Sequence, residues 1–199
     1  VPGSIYAGSL DVAGWLPWWQ DEEGIESAED HLRDIDTIHP FVFEVREDGT
    51  LEDMADLDER QWKNFFRRAE RKDVEIIPTI AWFDGDNIHR ILSDEDLREE
   101  HIEEIVDMVD DRDFDGVDID YESKRADTID YFSRFLKELE DELGRKKLTC
   151  TIEARTPPSS VYRDVPDNIE YANDYRAMDR YCDRVELMAY DQQRVDWLS

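Results

Sequence analysis

Positive charge is what this chain has least of. Its 199 residues carry 24 Lys plus Arg against 53 Asp plus Glu, a formal net charge of −29. Lysine is scarcer still, 6 against 18 Arg, and the basic residues are scattered, with no run longer than the three at 145–147. A polyanion without a basic patch repels nucleic acid and anionic lipid, so neither is expected as a partner. No apolar run approaches the roughly 18 residues that suggest a membrane span. Nothing at the N-terminus has the pattern of a signal peptide, which a mature chain would lack in any case. Cysteine is nearly absent. Cys150 and Cys182 are too few for a disulfide framework and lack metal-site spacing, so both are expected to be free. His31, His39, His89 and His101 form no cluster, and no metal or cofactor is expected.

What remains is enough for a core, with 40% hydrophobic and 11% aromatic residues. The surplus acid reads either as solvated helix faces or as adaptation to a salt-rich habitat. Short apolar stretches alternate with longer amphipathic ones. Strands are expected at 11–18, 39–45, 74–83, 114–122, 147–154 and 184–191. Helices are expected at 24–35, 58–73, 94–111, 126–144 and 173–182, the fourth ending at Gly144. Repeated strand-then-helix order predicts an α/β fold with a parallel sheet and helices outside. Nothing suggests a second domain. A closed (β/α)8 TIM barrel takes about 250 residues. The expectation is a single catalytic domain over residues 1–199, either an open sheet or a TIM-barrel type apparently truncated after its sixth strand, with strands 7 and 8 absent. Oligomeric state is left open.

The chemistry concentrates in "FDGVDIDYE", residues 114–122. On a strand, Asp118, Asp120 and Glu122 share one face, and Val117, Ile119 and Tyr121 the other. Successive acids are roughly 6.6 Å apart along the strand. Carboxylates that close cannot all ionise freely, so at least one pKa must rise; that is how an acid is kept protonated for general-acid work. Glu122 falls at the C-terminal strand end, the active-site face of α/β barrels. A rival reading is an EF-hand calcium loop over 111–122, with Asp111, Asp113, Asp115, Gly116 and Glu122 at its ligand and turn positions. By bare rarity the calcium pattern is the stronger match. Against it, loop position eight is Asp118 rather than an aliphatic residue, no second loop pairs with it, and the βα rhythm needs a strand here.

With those residues in view, "FDGVDIDYE" resembles the signature of glycoside hydrolase family 18, the chitinase-type hydrolases. "LMAYD" (187–191) resembles the family's sixth-strand segment through Met188, Tyr190 and Asp191. "VAGWLPWW" and "PFVFEVREDGTL" resemble its small bacterial branch that includes spore-germination hydrolases. The resemblance implies a TIM barrel and hydrolysis of β-1,4-linked N-acetylglucosamine glycans, chitin or peptidoglycan in type, with retention. In that family the substrate's 2-acetamido oxygen replaces a protein nucleophile and an oxazolinium ion forms. By resemblance, Glu122 is the general acid and then base, Asp120 binds the acetamide N–H, and Asp118 shares a proton with Asp120. Tyr190 aligns the acetamide carbonyl, and Asp191 and Met188 lie against the sugar. Asp115 is read as structural. Trp15, Trp18, Trp82 and Phe43 are candidate subsite walls, as are Trp19 and Phe83, with ordinary packing the alternative for each. Arg155 either lines the cleft or pairs with an acid.

The chain departs from the family at "IAWFD", where many members carry Ser-x-Gly-Gly, and Trp197 comes too early for the family's last-strand Trp. The 199 residues are therefore expected to be weakly active or inactive alone. A non-catalytic glycan-binding module on the same scaffold is the second reading, and a calcium-binding protein the third. Extracellular or cell-envelope action is expected from the substrate class alone.

Overall fold

A computed structural model describes residues 10–155, 159, 163–164 and 170–190. Its strands are β1 (Ala13–Pro17), β2 (Thr37–Val45), β3 (Leu51–Asp53), β4 (Glu75–Ile76), β5 (Thr79–Trp82), β6 (Gly116–Tyr121), β7 (Lys147–Glu153) and β8 (Arg184–Met188). The α-helices are α1 (Asp21–His31), α2 (Arg60–Glu70), α3 (Gly85–Ser93), α4 (Glu95–Asp111), α5 (Ile129–Leu143) and α6 (Tyr175–Tyr181). The sheet runs β1-β2-β5-β6-β7-β8, all neighbours parallel. β3 pairs antiparallel with β2, and the short β4 pairs parallel with it. The six expected strand positions are thus filled, with β4 and β5 together making the third. Pro78 divides that third strand, because it has no N–H for a ladder.

The sheet is curled. β2 and β8 are four spacings apart, about 19 Å if flat. Yet His39 Nε2 on β2 lies 3.2 Å from Glu186 Oε1 on β8, and an Arg184 guanidinium N–H donates to Thr37 Oγ1 at 3.4 Å. Trp15 on β1 likewise reaches Asp118 on β6. The result is a half-barrel of the TIM type, polar inside and apolar outside.

Helices cover the outer face. α5 buries Phe132, Phe135, Leu136, Leu139 and Leu143, a helical stripe, and stops at Gly144 with φ +62°. The outer residues of β6, Val117, Ile119 and Tyr121, are wholly buried against that layer. Gly116, inside the acidic motif, has a separate task. A Cβ there would sit 2.1 Å from Lys147 O, so only glycine lets β6 and β7 pair at that point.

Two expectations are corrected here. The segment between the third strand and α4 holds an additional helix, α3, capped by Asp84, whose carboxylate accepts from the Asp86 and Asn87 N–H groups. The cysteines are not free: Cys150 and Cys182 form a disulfide that ties β7 to the end of α6 across 32 residues of sequence. The pairing follows from topology, which places the end of α6 beside the strand its chain has just left.

Candidate active site

The acidic row sits where period two put it, on the inner face of β6. Asp118 is fully buried. Its carboxylate accepts from Thr79 Oγ1 at 2.8 Å and Thr151 Oγ1 at 2.9 Å, with Trp15 Nε1 3.5 Å away. Burial pushes its pKa up, opposed by the nearby His39 and these hydroxyl donors. Asp120 is 3% exposed. Its Oδ1 is buried and has no hydrogen-bond partner among the described residues. Burial first, then the charges of Glu122 and Asp118, push its pKa up to about 8. Asp120 is therefore protonated at neutral pH.

Glu122 follows the last residue of β6. The chain turns sharply behind it, with Ser123 at φ +56° and the Ser123 N–H donating to Glu153 Oε1 at 3.0 Å. Lys124 packs its ammonium over the Phe132 ring, 4.5 Å from the centroid, and donates to Tyr121 O. Burial lowers its pKa to about 8, against the pull of Glu153, Asp120 and Glu122. Asp115 is structural, as expected: its carboxylate accepts from the Ile76 N–H at 2.8 Å.

A cavity of about 340 Å³ opens at the C-terminal strand ends, lined by Trp15, Pro17, Trp19, Phe41, Asp120, Glu122, Thr151, Met188 and Tyr190. It has the size and character of a small-ligand site, with aromatic walls and a few convergent polar groups. Glu122, Asp120, Tyr190, Met188 and Trp15 thus meet as expected, and Asp118 lies beneath. Asp191 is outside the described residues.

Five assigned wall residues lie elsewhere. A bulge between Phe41 and Phe43 in the β2–β5 register turns Phe41 inward, opposite Thr79, and sends Phe43 outward, opposite Ile80. Phe43 is buried in the outer core. Trp82 also points outward, its ring 5.3 Å from Tyr121 and 5.4 Å from His101. Trp18 packs half-buried against the core, edge-on to Trp19, and does not line the cavity. Among the described residues, Arg155 neither lines the cavity nor pairs with an acid. Its guanidinium lies over Tyr171 and Tyr175, 4.0 and 3.9 Å from the centroids, and donates to Asn173 O. Phe83 lines a separate surface hollow with Trp82 and Arg125.

The calcium-loop reading also fails. Residues 116–121 are extended strand, so Glu122 stands roughly 20 Å along the chain from Asp115. No group of three or more His, Cys, Asp or Glu side chains is placed to hold a metal among the described residues. No described helix is long and apolar enough to cross a membrane.

The site also contains groups with no motif to announce them. Thr79, Thr151 and Glu153 line the inner face, and their signal was alternation alone: in "LTCTIE", the polar residues interleave with Leu148, Cys150 and Ile152. His39 and Glu186 complete the interior.

A curled parallel β/α sheet with carboxylates crowding the C-terminal strand ends defines the β/α-barrel class, whose active sites lie at that face. Within it, the chain belongs to the glycosyl hydrolases family 18, whose model matches residues 18–197. It is similar to the uncharacterized glycosylase YvbX of Bacillus subtilis, 22% identical over 113 residues, 57% of this chain and 32% of that protein. Among solved structures, a class V chitinase from Pseudomonas fluorescens superposes with a TM-score of 0.79 at 22% identity. That match covers 92% of this chain and 54% of the other. The spore cortex-lytic enzyme SleL of Bacillus cereus gives 0.70 at 20% identity, covering 92% and 41%. The chain spans about a third of the curated relative and about half of the chitinase. These structural likenesses establish the fold.

Proposed function

We propose that this chain carries the catalytic face of a retaining, substrate-assisted hydrolase of β-1,4-linked N-acetylglucosamine glycans. One observation carries the reading: Asp120 lines a cavity with Glu122 and Tyr190, and its buried Oδ1 has no hydrogen-bond partner among the described residues. A buried acceptor left open is costly unless a ligand donor fills it, and an acetamide N–H is such a donor.

In this reading, Glu122 donates its proton to the glycosidic oxygen as the C1–O bond breaks. The substrate's acetamide oxygen attacks C1 from the opposite face and forms the oxazolinium ring. Asp120 accepts the acetamide N–H and stabilises the developing positive charge. Asp118, beneath it, takes a share of the proton that Asp120 holds. Tyr190 aligns the acetamide carbonyl. Glu122, now ionised, takes a proton from water, which opens the ring at C1 and restores the starting state with retention. Trp15, Trp19 and Phe41 offer flat faces to the C–H faces of the sugar. A neutral glycan is compatible with a chain of net charge −29. The Cys150–Cys182 disulfide fits an oxidising compartment, extracellular or in the cell envelope.

The test is release of fluorophore from a fluorogenic chitobioside by the full-length protein, with Glu122→Gln as control. Loss of turnover in the variant supports the assignment. Equal activity in both removes Glu122 from its role.

A further inference from the structure

His39 is completely buried, 0% exposed, on the inner face of β2. Its two ring nitrogens face two groups that accept hydrogen bonds. Nδ1 lies 2.9 Å from Ile77 O, and a carbonyl cannot donate. Nε2 lies 3.2 Å from Glu186 Oε1, an ion-pair contact that is not aligned as a hydrogen bond. An ionised carboxylate cannot donate either, and Arg184 sits 3.7 Å from the same oxygen, which favours ionised Glu186. A neutral imidazole carries one proton and satisfies one acceptor. Ile77 O takes the Nδ1 proton, and an ionised carboxylate 3.2 Å from Nε2 favours a second proton there over a lone pair, which is the imidazolium.

The groups around it agree. From β1, the neutral Trp15 ring packs 5.7 Å from the His39 ring, and the same indole points its Nε1 at Asp118. From β6 comes the Asp118 charge, and from β8 Glu186 with Arg184 behind it. Burial works against a charged His39, but Glu186, Asp118 and the Ile77 carbonyl together outweigh it and raise the pKa.

We infer that His39 is a buried imidazolium, held by Ile77 O and Glu186, that keeps Asp118 ionised and so leaves the proton of the acidic row on Asp120, the member facing the cavity. Among the described residues, the hydrogen-bond donors to Asp118 are neutral, two threonines and an indole. Without a cation nearby, the fully buried Asp118 is the better place for the proton, and Asp120 would face the cavity as the anion. His39 is a positioning residue: it acts through Asp118 and touches no substrate. The catalytic consequence rests on the hydrolase reading; the charge assignment does not.

The experiment is nitrogen NMR of the protein labelled at histidine, with the His39 signals assigned by their loss in His39→Gln. At pH 7.5, His39 shows two protonated ring nitrogens, whereas His101 shows one. In Glu186→Gln, which removes the negative charge that favours the second proton and offers an amide N–H donor in its place, His39 becomes singly protonated at that pH. One bare nitrogen on His39 in the unmodified protein overturns the inference, and so does an unchanged spectrum in Glu186→Gln. The second readout is the pH profile of chitobioside hydrolysis. Removing the cation in His39→Gln makes the acidic row harder to deprotonate, so the alkaline limb moves up by about one pH unit. A uniform loss at every pH, with the limb in place, reduces His39 to packing and overturns the positioning role. If His39→Gln does not fold, the profile of Glu186→Gln decides, with a smaller upward shift expected because loss of the Glu186 charge partly offsets loss of the His39 charge. An imidazolium spectrum with no turnover in any protein refutes the hydrolase reading and leaves the charge assignment standing.

Discussion

His39 and His101 are almost equally hidden, at 0% and 2% exposure, on opposite sides of one sheet. Outside, His101 Nδ1 faces Gly49 O at 2.6 Å, and Nε2 faces the Tyr121 hydroxyl at 2.6 Å. A hydroxyl can donate, so one imidazole proton satisfies both contacts. Burial takes the His101 pKa down to about 4 and it stays neutral. Its ring stacks on Phe135, as does that of Tyr121. Inside, His39 meets a carbonyl and a carboxylate, and the charged surroundings are Asp118, Glu186 and Arg184. The difference lies in the partners rather than the depth. The outer face closes the contacts of His101 and Tyr121, with the buried Trp62 indole N–H an exception, and holds the fold. The inner face leaves charge unresolved, as at Asp120 Oδ1, where chemistry can use it.

The largest effect should fall on the inner face alone. Glu122→Gln is expected to lower turnover by about 10²–10⁴-fold, the usual worth of a positioned general acid. Its melting temperature should stay within a few degrees of the parent, because the change is isosteric at a half-buried strand end. Kinetics and thermal unfolding on the same samples check both halves. A variant that loses activity only because it unfolds would erase the distinction between the faces.

The converse holds outside. Phe135→Ala removes a fully buried ring stacked on His101 and Tyr121. It should cost about 3–5 kcal/mol in denaturant unfolding, while the residual folded protein keeps its KM.

These faces were unequally legible in the sequence. The acidic row was readable because strand alternation has an exact period, and Asp118, Asp120 and Glu122 sit two apart. The same rule fails at a bulge. Phe43 was given an inward role that belongs to Phe41, since one extra residue in β2 reverses the parity. Trp82 was placed by its nearness to a strand end, whereas parity from Thr79, whose hydroxyl holds Asp118, sends it outward. The Arg155 stack on Tyr171 and Tyr175 and the Cys150–Cys182 bond join residues 16 or more apart, which only the fold brings together. The His39–Glu186 contact spans 147 residues, and neither partner belongs to a motif.

The disulfide belongs to the outer layer, because Cys150 pairs in register with the outward Ile119. Cys182→Ser, or reduction, is expected to cost about 3 kcal/mol by freeing a 32-residue loop, with the cavity chemistry untouched. Unfolding with and without reductant reads this directly. A larger fall in turnover than in stability would show that β7, through Thr151 and Glu153, transmits the loss inward.

The smallest effect is the most diagnostic, because it depends on pH. Asp120 has an unfolded-state pKa of 3.8 and a folded-state value of about 8. A folded value above the unfolded one means that folding favours the protonated form. The contribution is full below pH 4, where both states hold the proton. It declines as the unfolded chain ionises and is gone once pH passes 8, where the folded state must carry the buried anion as well. Asp120→Asn is neutral at every pH and escapes this loss. The variant should therefore match the parent most nearly below pH 4 and exceed it in melting temperature by a margin that grows up to about pH 8–9. Outward residues supply no such term: Phe135→Ala should lower the melting temperature by similar amounts at both pH values. A pH-independent difference for Asp120→Asn would mean that the inner carboxylate is as settled as the outer core, and the proton would then have to be sought on Asp118.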